Sequence, residues 1–206
     1  WNRFSAVEEV TPVRAVEHNG CMCLFGTKEN APVVAVAPIK GEPLWTVMAV
    51  DGLPANADLS TVNSFNGMLY AIAGGDLYAS SDAVVWVPVL TDKGLVAVLA
   101  SSDDAGEMVV ANVGEFFSTK DGASFVYSGE VPAGLPLYGV SALSYPLNHN
   151  EDIVRYVAVG YDAPAMDGKA RVWSRLSTED AWADFENEGG FSERMYKRRL
   201  KKREDI

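Results

Sequence analysis

The chain has 206 residues, of which 48% are hydrophobic, and it carries a net charge of −11 at pH 7 from 17 basic and 28 acidic residues. This length suffices to bury a sizeable core, and the absence of any apolar run near about twenty residues excludes a membrane-spanning helix. The acidic balance argues against nucleic acid or an anionic membrane as a partner, because binding to phosphates requires lysine and arginine.

The first candidate element is an apolar run, Cys21–Phe25, that follows the turn signal Asn19-Gly20. Its two cysteines are separated by one residue, which is too close for an unstrained disulfide within a strand. His18 could complete a Cys/Cys/His trio, but structural zinc requires a fourth ligand and usually a wider cysteine spacing. We therefore predict buried apolar thiols, with no metal and no other cofactor.

The middle of the chain contains an ungapped internal repeat. Residues 66–86 align with residues 105–125, so that Gly67 matches Gly106 and Trp86 matches Phe125. A repeat with a period of this size marks a repeat architecture. The repeat continues in weaker form toward both ends, with closing aromatics at Trp1, Trp45, Trp86, Phe125 and Trp182.

Each unit has the pattern of short strands separated by turns. In the first copy we predict strands over 69–73, 76–80 and 85–87, and the apolar run 95–100 starts the next unit. Short strands at this density favour a β-propeller built from four-stranded antiparallel blades. We predict an all-β propeller segment of about four such blades that opens on the tail of a further unit; a β-sandwich is the alternative.

Both copies end in the same turn pattern, Ser/Thr-x-Asp-(Gly/Ala)-x-x-aromatic. An aspartate in a tight turn accepts hydrogen bonds from backbone N–H groups just ahead of it, and the aromatic returns a large apolar surface to the blade or its neighbour. The residues of the two turns are Ser80, Asp82 and Trp86, and Thr119, Asp121, Gly122 and Phe125.

This pattern resembles the Asp-box, or BNR repeat, of sialidase-like β-propellers, and Gly74-Gly75 with Tyr78 is similar to kelch repeats. The chain also resembles uncharacterised secreted Bacteroidetes propeller proteins. The resemblance implies that the aspartates hold peripheral hairpins and are not catalytic, that further blades exist, and that the protein is exported to the periplasm or the cell surface. Sialidases also carry an Arg-Ile-Pro motif, which this chain lacks.

The best candidate for ligand binding is an insertion between about residues 145 and 169, predicted as loops around a strand over 153–160. Tyrosine, amide, imidazole and carboxylate groups together suit sugar recognition. The candidate ligand-binding residues are Tyr145, Asn148, His149, Tyr161 and Asp162.

These observations predict a propeller segment over 1–190 and a basic tail over 191–206, which forms a short helix or is disordered. Neither a serine-hydrolase elbow nor a nucleotide-binding loop is present. We expect a non-catalytic binding or scaffold module for a glycan or a protein at a bacterial cell surface. The alternative is a glycoside hydrolase of sialidase-like propeller fold, because the geometry of two carboxylates cannot be read from sequence.

Overall fold

The structure is a computed structural model, and its side chains and backbone are described for most of the chain between residues 10 and 184. The described ranges are residue 7 and 10–42, 44–54, 57–96, 99–102, 105–130, 137–148, 151–161, 170–176 and 182–184. Trp1 and the predicted tail over 191–206 lie outside them.

Four antiparallel four-stranded sheets make up the fold, and we refer to them as blades 1 to 4 in chain order. Blade 1 contains β1 (Thr11–His18), β2 (Cys21–Lys28), β3 (Ala31–Pro38) and β4 (Thr46–Ala49); blade 2 contains β5 (Asn63–Phe65), β6 (Met68–Ala73), β7 (Asp76–Ser80) and β8 (Val87–Leu90). Blade 3 contains β9 (Leu99–Ser102), β10 (Glu107–Ala111), β11 (Glu115–Thr119) and β12 (Val126–Glu130); blade 4 contains β13 (Leu137–Asn148), β14 (Glu151–Tyr161), β15 (Ala170–Leu176) and β16 (Ala183–Asp184). A short 3-10 turn, Leu59–Thr61, precedes blade 2.

The strands of each blade pair in simple sequential order. This arrangement confirms the prediction of an all-β propeller segment with four blades and excludes the β-sandwich. The two copies of the repeat occupy adjacent blades, as the gapless alignment predicts.

The core lies between the blades. Leu69 and Ala71 of β6 pack in one cluster with Phe25 of blade 1, whereas Tyr70 and Ile72 pack on the other side, in the cluster that contains residues of blade 3. Because alternate residues of a strand point to opposite faces, a sheet enclosed by two neighbours requires apolar residues at every position. The continuous apolar run in β6 is the consequence.

First strands of neighbouring blades contact one another, β1 with β5, β5 with β9 and β9 with β13. The fourth strands β4, β8 and β12 are instead mostly exposed. The chain therefore runs from the inner to the outer edge within each blade, as in propellers.

The structure corrects three predicted boundaries. The strand predicted over 85–87 begins at Val87, because the amides of Val84 and Val85 donate to the Asp82 carboxylate and are not available to pair with β7. The closing aromatic therefore stands just before the fourth strand and does not end the unit. Of the apolar run 95–100, which is predicted to start the next unit, the structure assigns β9 from Leu99, and the amide of Leu95 donates to the carbonyl of Gly75.

The third correction concerns the insertion. Strand β13 continues through Asn148 with an irregular register between Pro146 and Asn148, and β14 runs from Glu151 to Tyr161. Residues 145–148 and 151–152, predicted as a loop, are therefore parts of the two strands of a long β-hairpin. Proline at a register irregularity is compatible with a strand because the missing amide breaks no regular pair there.

Candidate functional site

The Asp82 turn, residues 80–86, is held by one carboxylate oxygen. Asp82 Oδ1 accepts from the backbone amides of Val84 at 2.9 Å and Val85 at 2.8 Å, and from the hydroxyl of Ser80 at 3.1 Å. The indole of Trp86 then donates to the carbonyl of Ala83 at 3.2 Å. The Asp82 side chain thus provides a hydrogen-bond acceptor for two backbone amides that the turn would otherwise leave unpaired.

The Asp121 turn, residues 119–125, repeats this pattern. Asp121 Oδ1 accepts from the amides of Ala123 at 2.9 Å and Ser124 at 2.7 Å and from the hydroxyl of Thr119 at 2.9 Å. Thr119 Oγ1 in turn accepts from the amide of Gly122. These contacts account for the conserved spacing of the two copies.

Both turn carboxyls are more acidic than ordinary aspartate. The amides of Val85 and Val84 lower the pKa of Asp82, and the amides of Ser124 and Ala123 lower the pKa of Asp121. Hydrogen bonds to the charged form favour ionisation. A general acid at neutral pH requires a raised pKa. The lowered pKa values therefore suit carboxylates that serve as permanent hydrogen-bond acceptors.

Each turn also contacts the β-hairpin turn of the preceding blade. Asn66 Nδ2 donates to the carbonyl of Lys120 at 3.0 Å, so the β5–β6 turn of blade 2 is joined to the Asp121 turn of blade 3. One blade earlier, Asn19 Nδ2 lies 3.5 Å from the carbonyl of Ser81, and His18 Nε2 lies 2.8 Å from the same oxygen. The Asn-Gly turns, which the sequence predicts only as boundaries between strands, therefore link neighbouring blades.

The residue after each aspartate is matched to the residue it faces. Gly122 has φ +78°, and a Cβ there would overlap the hydroxyl of Tyr70, which donates to the Gly122 carbonyl at 3.3 Å. Ala83 takes the equivalent place at φ +68°. It packs in the cluster that contains Cys23, the counterpart of Tyr70 in blade 1. A methyl group is accommodated where the neighbour is small.

The closing aromatics pack against the preceding blade. Trp86 is 2% exposed and meets Phe25 edge to face, with ring centroids 6.0 Å apart. Trp182 stacks on Phe116 at 3.8 Å. Phe125 packs against the cluster that contains Ile72.

The interface between blades 3 and 4 contains a buried charge network. Arg175 Nη2 lies 2.8 Å from Glu107 Oε2, with the two side chains 4% and 7% exposed. Tyr156 donates to the backbone carbonyl of Glu107 at 3.0 Å, and the Arg175 guanidinium lies over the rings of Tyr156 and Trp182. Burial and the nearby Glu107 raise the pKa of Tyr156, so its hydroxyl stays protonated. Tyrosine, glutamate and arginine are near one another here, but they are enclosed by the two blades.

The end of blades 1 and 2 that carries the Asn-Gly turns contains an open cleft of about 440 Å³. Because all blades share the same strand order, the β13–β14 connection belongs to the same end of the fold. The cleft is lined by Val16, Glu17, His18, Asn19, Ser64 and Gly67. Among these lining residues, Glu17 is the single carboxylate.

Three of the five predicted ligand-binding residues lie in strands of blade 4 that the structure describes. Tyr145 and Asn148 lie near the end of β13, and Tyr161 ends β14, while His149 and Asp162 lie outside the described residues. Tyr145 pairs with Ile153, eight residues before Tyr161. At the rise of a strand this places the two tyrosines about 26 Å apart along the hairpin. Tyr145 and Asn148 therefore lie at the opposite end of the hairpin from Tyr161.

The cysteines remain unbridged. Burial, and to a smaller extent the neighbouring Cys21, raises the pKa of Cys23 to about 11. The Cys23 thiol is therefore protonated at neutral pH. Within the described ranges, no group of three His, Cys, Asp or Glu side chains is arranged to hold a metal ion. In the same ranges, no helix has the length and hydrophobicity of a membrane-spanning segment.

The cleft and the blade 3–4 network are absent from the sequence-based candidates. The sequence does contain a signal for the network. Glu107 aligns with Met68 of the first repeat copy, so a charged residue replaces an apolar one at the start of an apolar run. The cleft leaves no such signal, because its residues come from two blades and only Asn19 and Gly67 belong to a recognisable motif.

A family comparison agrees with this architecture. The family model described as the DUF6242 beta propeller domain matches residues 1–201. No curated protein matches the chain. With four sequentially paired blades and a match over nearly its whole length, the chain belongs to the DUF6242 beta propeller domain family.

Proposed function

We propose that this propeller domain is a non-catalytic binding or scaffold module that recognises a glycan or a protein at the surface or in the periplasm of a bacterium. We further propose that the Asp82 and Asp121 turns are Asp-boxes of the BNR type, which serve the blades and not a ligand. The observation that carries the proposal is that, among the acidic side chains named above, one lines the cleft and the others are held by structural contacts. Glu17 is the single carboxylate lining the cleft, and Asp82, Asp121 and Glu107 are engaged in turns or between blades.

The cleft is poorly suited to glycoside hydrolysis. Hydrolysis by the usual mechanisms requires two carboxyl groups about 5 to 9.5 Å apart across the scissile bond. Glu17 has no second carboxylate beside it among the lining residues. A ligand in the cleft would therefore be held by Glu17 and Asn19 and left intact.

The arginines do not favour a sialidase either. A sialidase-like site requires several guanidinium groups around one substrate carboxylate. Arg14 donates to the Val62 carbonyl, Arg155 to the Ser174 hydroxyl, and Arg175 to Glu107 between the blades. Each of these three groups already serves a protein acceptor.

We propose the free end of the β13–β14 hairpin, residues 145–148 and 151–153, as the principal recognition element, and refer to it as the arm. In the described chain β15 pairs with β14 only from Arg155 to Tyr161, so the arm lies beyond that pairing. It carries Tyr145 and Asn148, and the adjoining His149 adds an imidazole. An aromatic beside amide and imidazole groups can stack on a sugar ring and bond its hydroxyls.

The test is a glycan array probed with the wild-type domain and two variants. Tyr145→Ala combined with Asn148→Ala should abolish binding of any glycan that the wild type retains. Tyr161→Ala, at the opposite end of the same hairpin, is the matched control and should bind normally. Melting temperatures of all three proteins verify that folding is preserved.

A parallel assay addresses catalysis. The wild-type domain is incubated with a panel of fluorogenic glycosides, sialosides included, and we expect no release of fluorophore above buffer. Turnover that Glu17→Gln abolishes would show a hydrolase and contradict the module. Binding that survives the arm double variant but is lost in Glu17→Gln would move recognition from the arm to the cleft.

A further inference from the structure

We propose that Asn66 is a site of spontaneous deamidation, and that the Asp121 turn of the next blade restrains the reaction. Both Asn66 and Gly67 are exposed. They have φ values of +49° and +71°, the backbone of a two-residue hairpin turn. No atom lies within 4 Å of the place where a Cβ of Gly67 would be. Without a side chain on the following residue, its amide nitrogen is accessible to the asparagine carbonyl carbon.

The chemistry requires only water. The backbone nitrogen of Gly67 attacks the side-chain carbonyl carbon of Asn66, a C–N bond forms, and ammonia leaves with the nitrogen of the former amide. Water then opens the five-membered imide at one of its two carbonyls and gives aspartate or isoaspartate. In sum, one amide and one water become one carboxylic acid and one ammonia, with no change in oxidation state.

The blade contact opposes the first step. Asn66 Nδ2 donates to the Lys120 carbonyl at 3.0 Å, and this hydrogen bond holds the side-chain amide on blade 3. The carbonyl of Lys120 is itself part of the Asp121 turn, between Thr119 and Asp121, which are joined by a hydrogen bond. Loosening that turn frees the Asn66 side chain.

Asn19-Gly20 provides an internal comparison. It has nearly the same backbone, with φ values of +50° and +74°, and equally open space over its glycine. Its amide nitrogen, however, lies 3.5 Å from the Ser81 carbonyl and 3.0 Å from His18 Nε2. His18 Nε2 is itself 2.8 Å from the Ser81 carbonyl, and a ring N–H that donates to that oxygen cannot also accept from Asn19. Because the side chain is held less firmly, Asn19 should deamidate faster than Asn66.

The product at residue 66 would lose the contact between the Asn66 turn and blade 3. A carboxylate cannot donate, so an oxygen would face the Lys120 carbonyl where an N–H stood. Isoaspartate would also add a methylene to the main chain of a two-residue turn that sets the register of β5 with β6. Deamidation therefore lowers stability and does so at one named interface.

The experiment ages four proteins at mildly alkaline pH and measures deamidation at each asparagine by peptide mass spectrometry. In the wild type we expect Asn19 to react faster than Asn66. Asp121→Ala should accelerate Asn66 by about fivefold, the effect of one hydrogen bond of ordinary net strength, and leave Asn19 unchanged. Asp82→Ala should accelerate Asn19 and leave Asn66 unchanged. Asn66→Asp should melt at a lower temperature than the wild type.

Three results would overturn the proposal. The first is a rate at Asn66 that Asp121→Ala does not change. The second is equal acceleration of both asparagines by either variant, which would mean that global unfolding limits the reaction. The third, which needs no variant and so stands even if Asp121→Ala fails to fold, is an Asn66 that reacts faster than Asn19 in the wild type.

Discussion

Trp86 shows how one residue connects a turn to an interface. Its indole N–H is paired within the Asp82 turn, while its ring lies against Phe25 of blade 1. Phe25 is itself fully buried. The side chain thus satisfies its polar group locally and places its apolar surface between two blades.

Replacement of Trp86 with alanine should therefore cost about 3–5 kcal/mol of unfolding free energy, as for other buried aromatic residues. That is a large part of the roughly 5–15 kcal/mol that stabilises most domains. Chemical denaturation measures it. Val87→Ala, at a neighbouring position that is 53% exposed, is the control and should change stability little. A Trp86→Ala protein that melts like the wild type but no longer binds its ligand would assign Trp86 to a site.

The two turn carboxylates predict an acid-dependent loss of stability. Their pKa values are lower in the folded protein than in the unfolded chain. Their stabilisation is therefore complete above the unfolded pKa, near 4, and is lost as the pH falls below it. Melting temperature measured from pH 6 to about pH 2 should decline over this acid range.

The variant Asp82→Asn combined with Asp121→Asn isolates that effect. An amide oxygen can still accept from the turn amides, but it does not titrate in this range. We expect lower stability at pH 6 and a shallower decline in acid than in the wild type. An unchanged acid decline would assign it to other carboxyl groups.

At the scale of the element, the blade architecture was predictable because the repeat is local and needs no alignment gap. The boundary errors arose where a side chain competes with the strand for backbone amides, as Asp82 does for Val84 and Val85. The hairpin of blade 4 was misassigned because Pro146 and Asn148 are typical of turns.

The blade contacts could not be predicted. Asn66 and Lys120 are 54 residues apart, and Glu107 and Arg175 are 68 apart. Each of these pairs depends on the packing of two complete sheets. A sequence motif predicts the position of a residue within its own blade. The residue that it contacts, however, belongs to the neighbouring blade and depends on how the two blades pack.

In sequence, the unit of blade 4 has Thr178 where blades 2 and 3 have Asp82 and Asp121, and blade 3 has Ala105 where blades 1 and 2 have asparagine. The buried Glu107–Arg175 pair lies at the interface between these two blades.

Breaking this pair should be costly, whereas replacing it should not. Arg175→Met leaves Glu107 buried without its partner and should cost about 3–5 kcal/mol. Adding Glu107→Met, the residue that the repeat has in blade 2, should recover most of that loss. Urea denaturation of both proteins measures the difference. If the double variant is as unstable as the single one, the pair contributes more than charge compensation.

On the scale of the whole molecule, the blades form a chain of nearest neighbours. Each core cluster joins two adjacent blades, blades 1 and 2, 2 and 3, or 3 and 4. Stability in such an array is close to a sum of unit and interface contributions. A mutation that weakens one interface should therefore lower the stability mainly of the two blades that share it.

Hydrogen exchange followed by mass spectrometry can resolve this arrangement. The second strands β6 and β10, buried along nearly their whole length, should exchange most slowly, and the outer strands β8 and β12 fastest. Trp86→Ala should then accelerate exchange in β2 and β6 while β10 and β14 keep most of their protection, because the lost contacts lie between blades 1 and 2. Val87→Ala, at a position that is 53% exposed, gives a control mutant that leaves the core clusters intact. If Trp86→Ala accelerated exchange equally in all four blades, the domain would unfold as one cooperative unit and the nearest-neighbour description would be wrong.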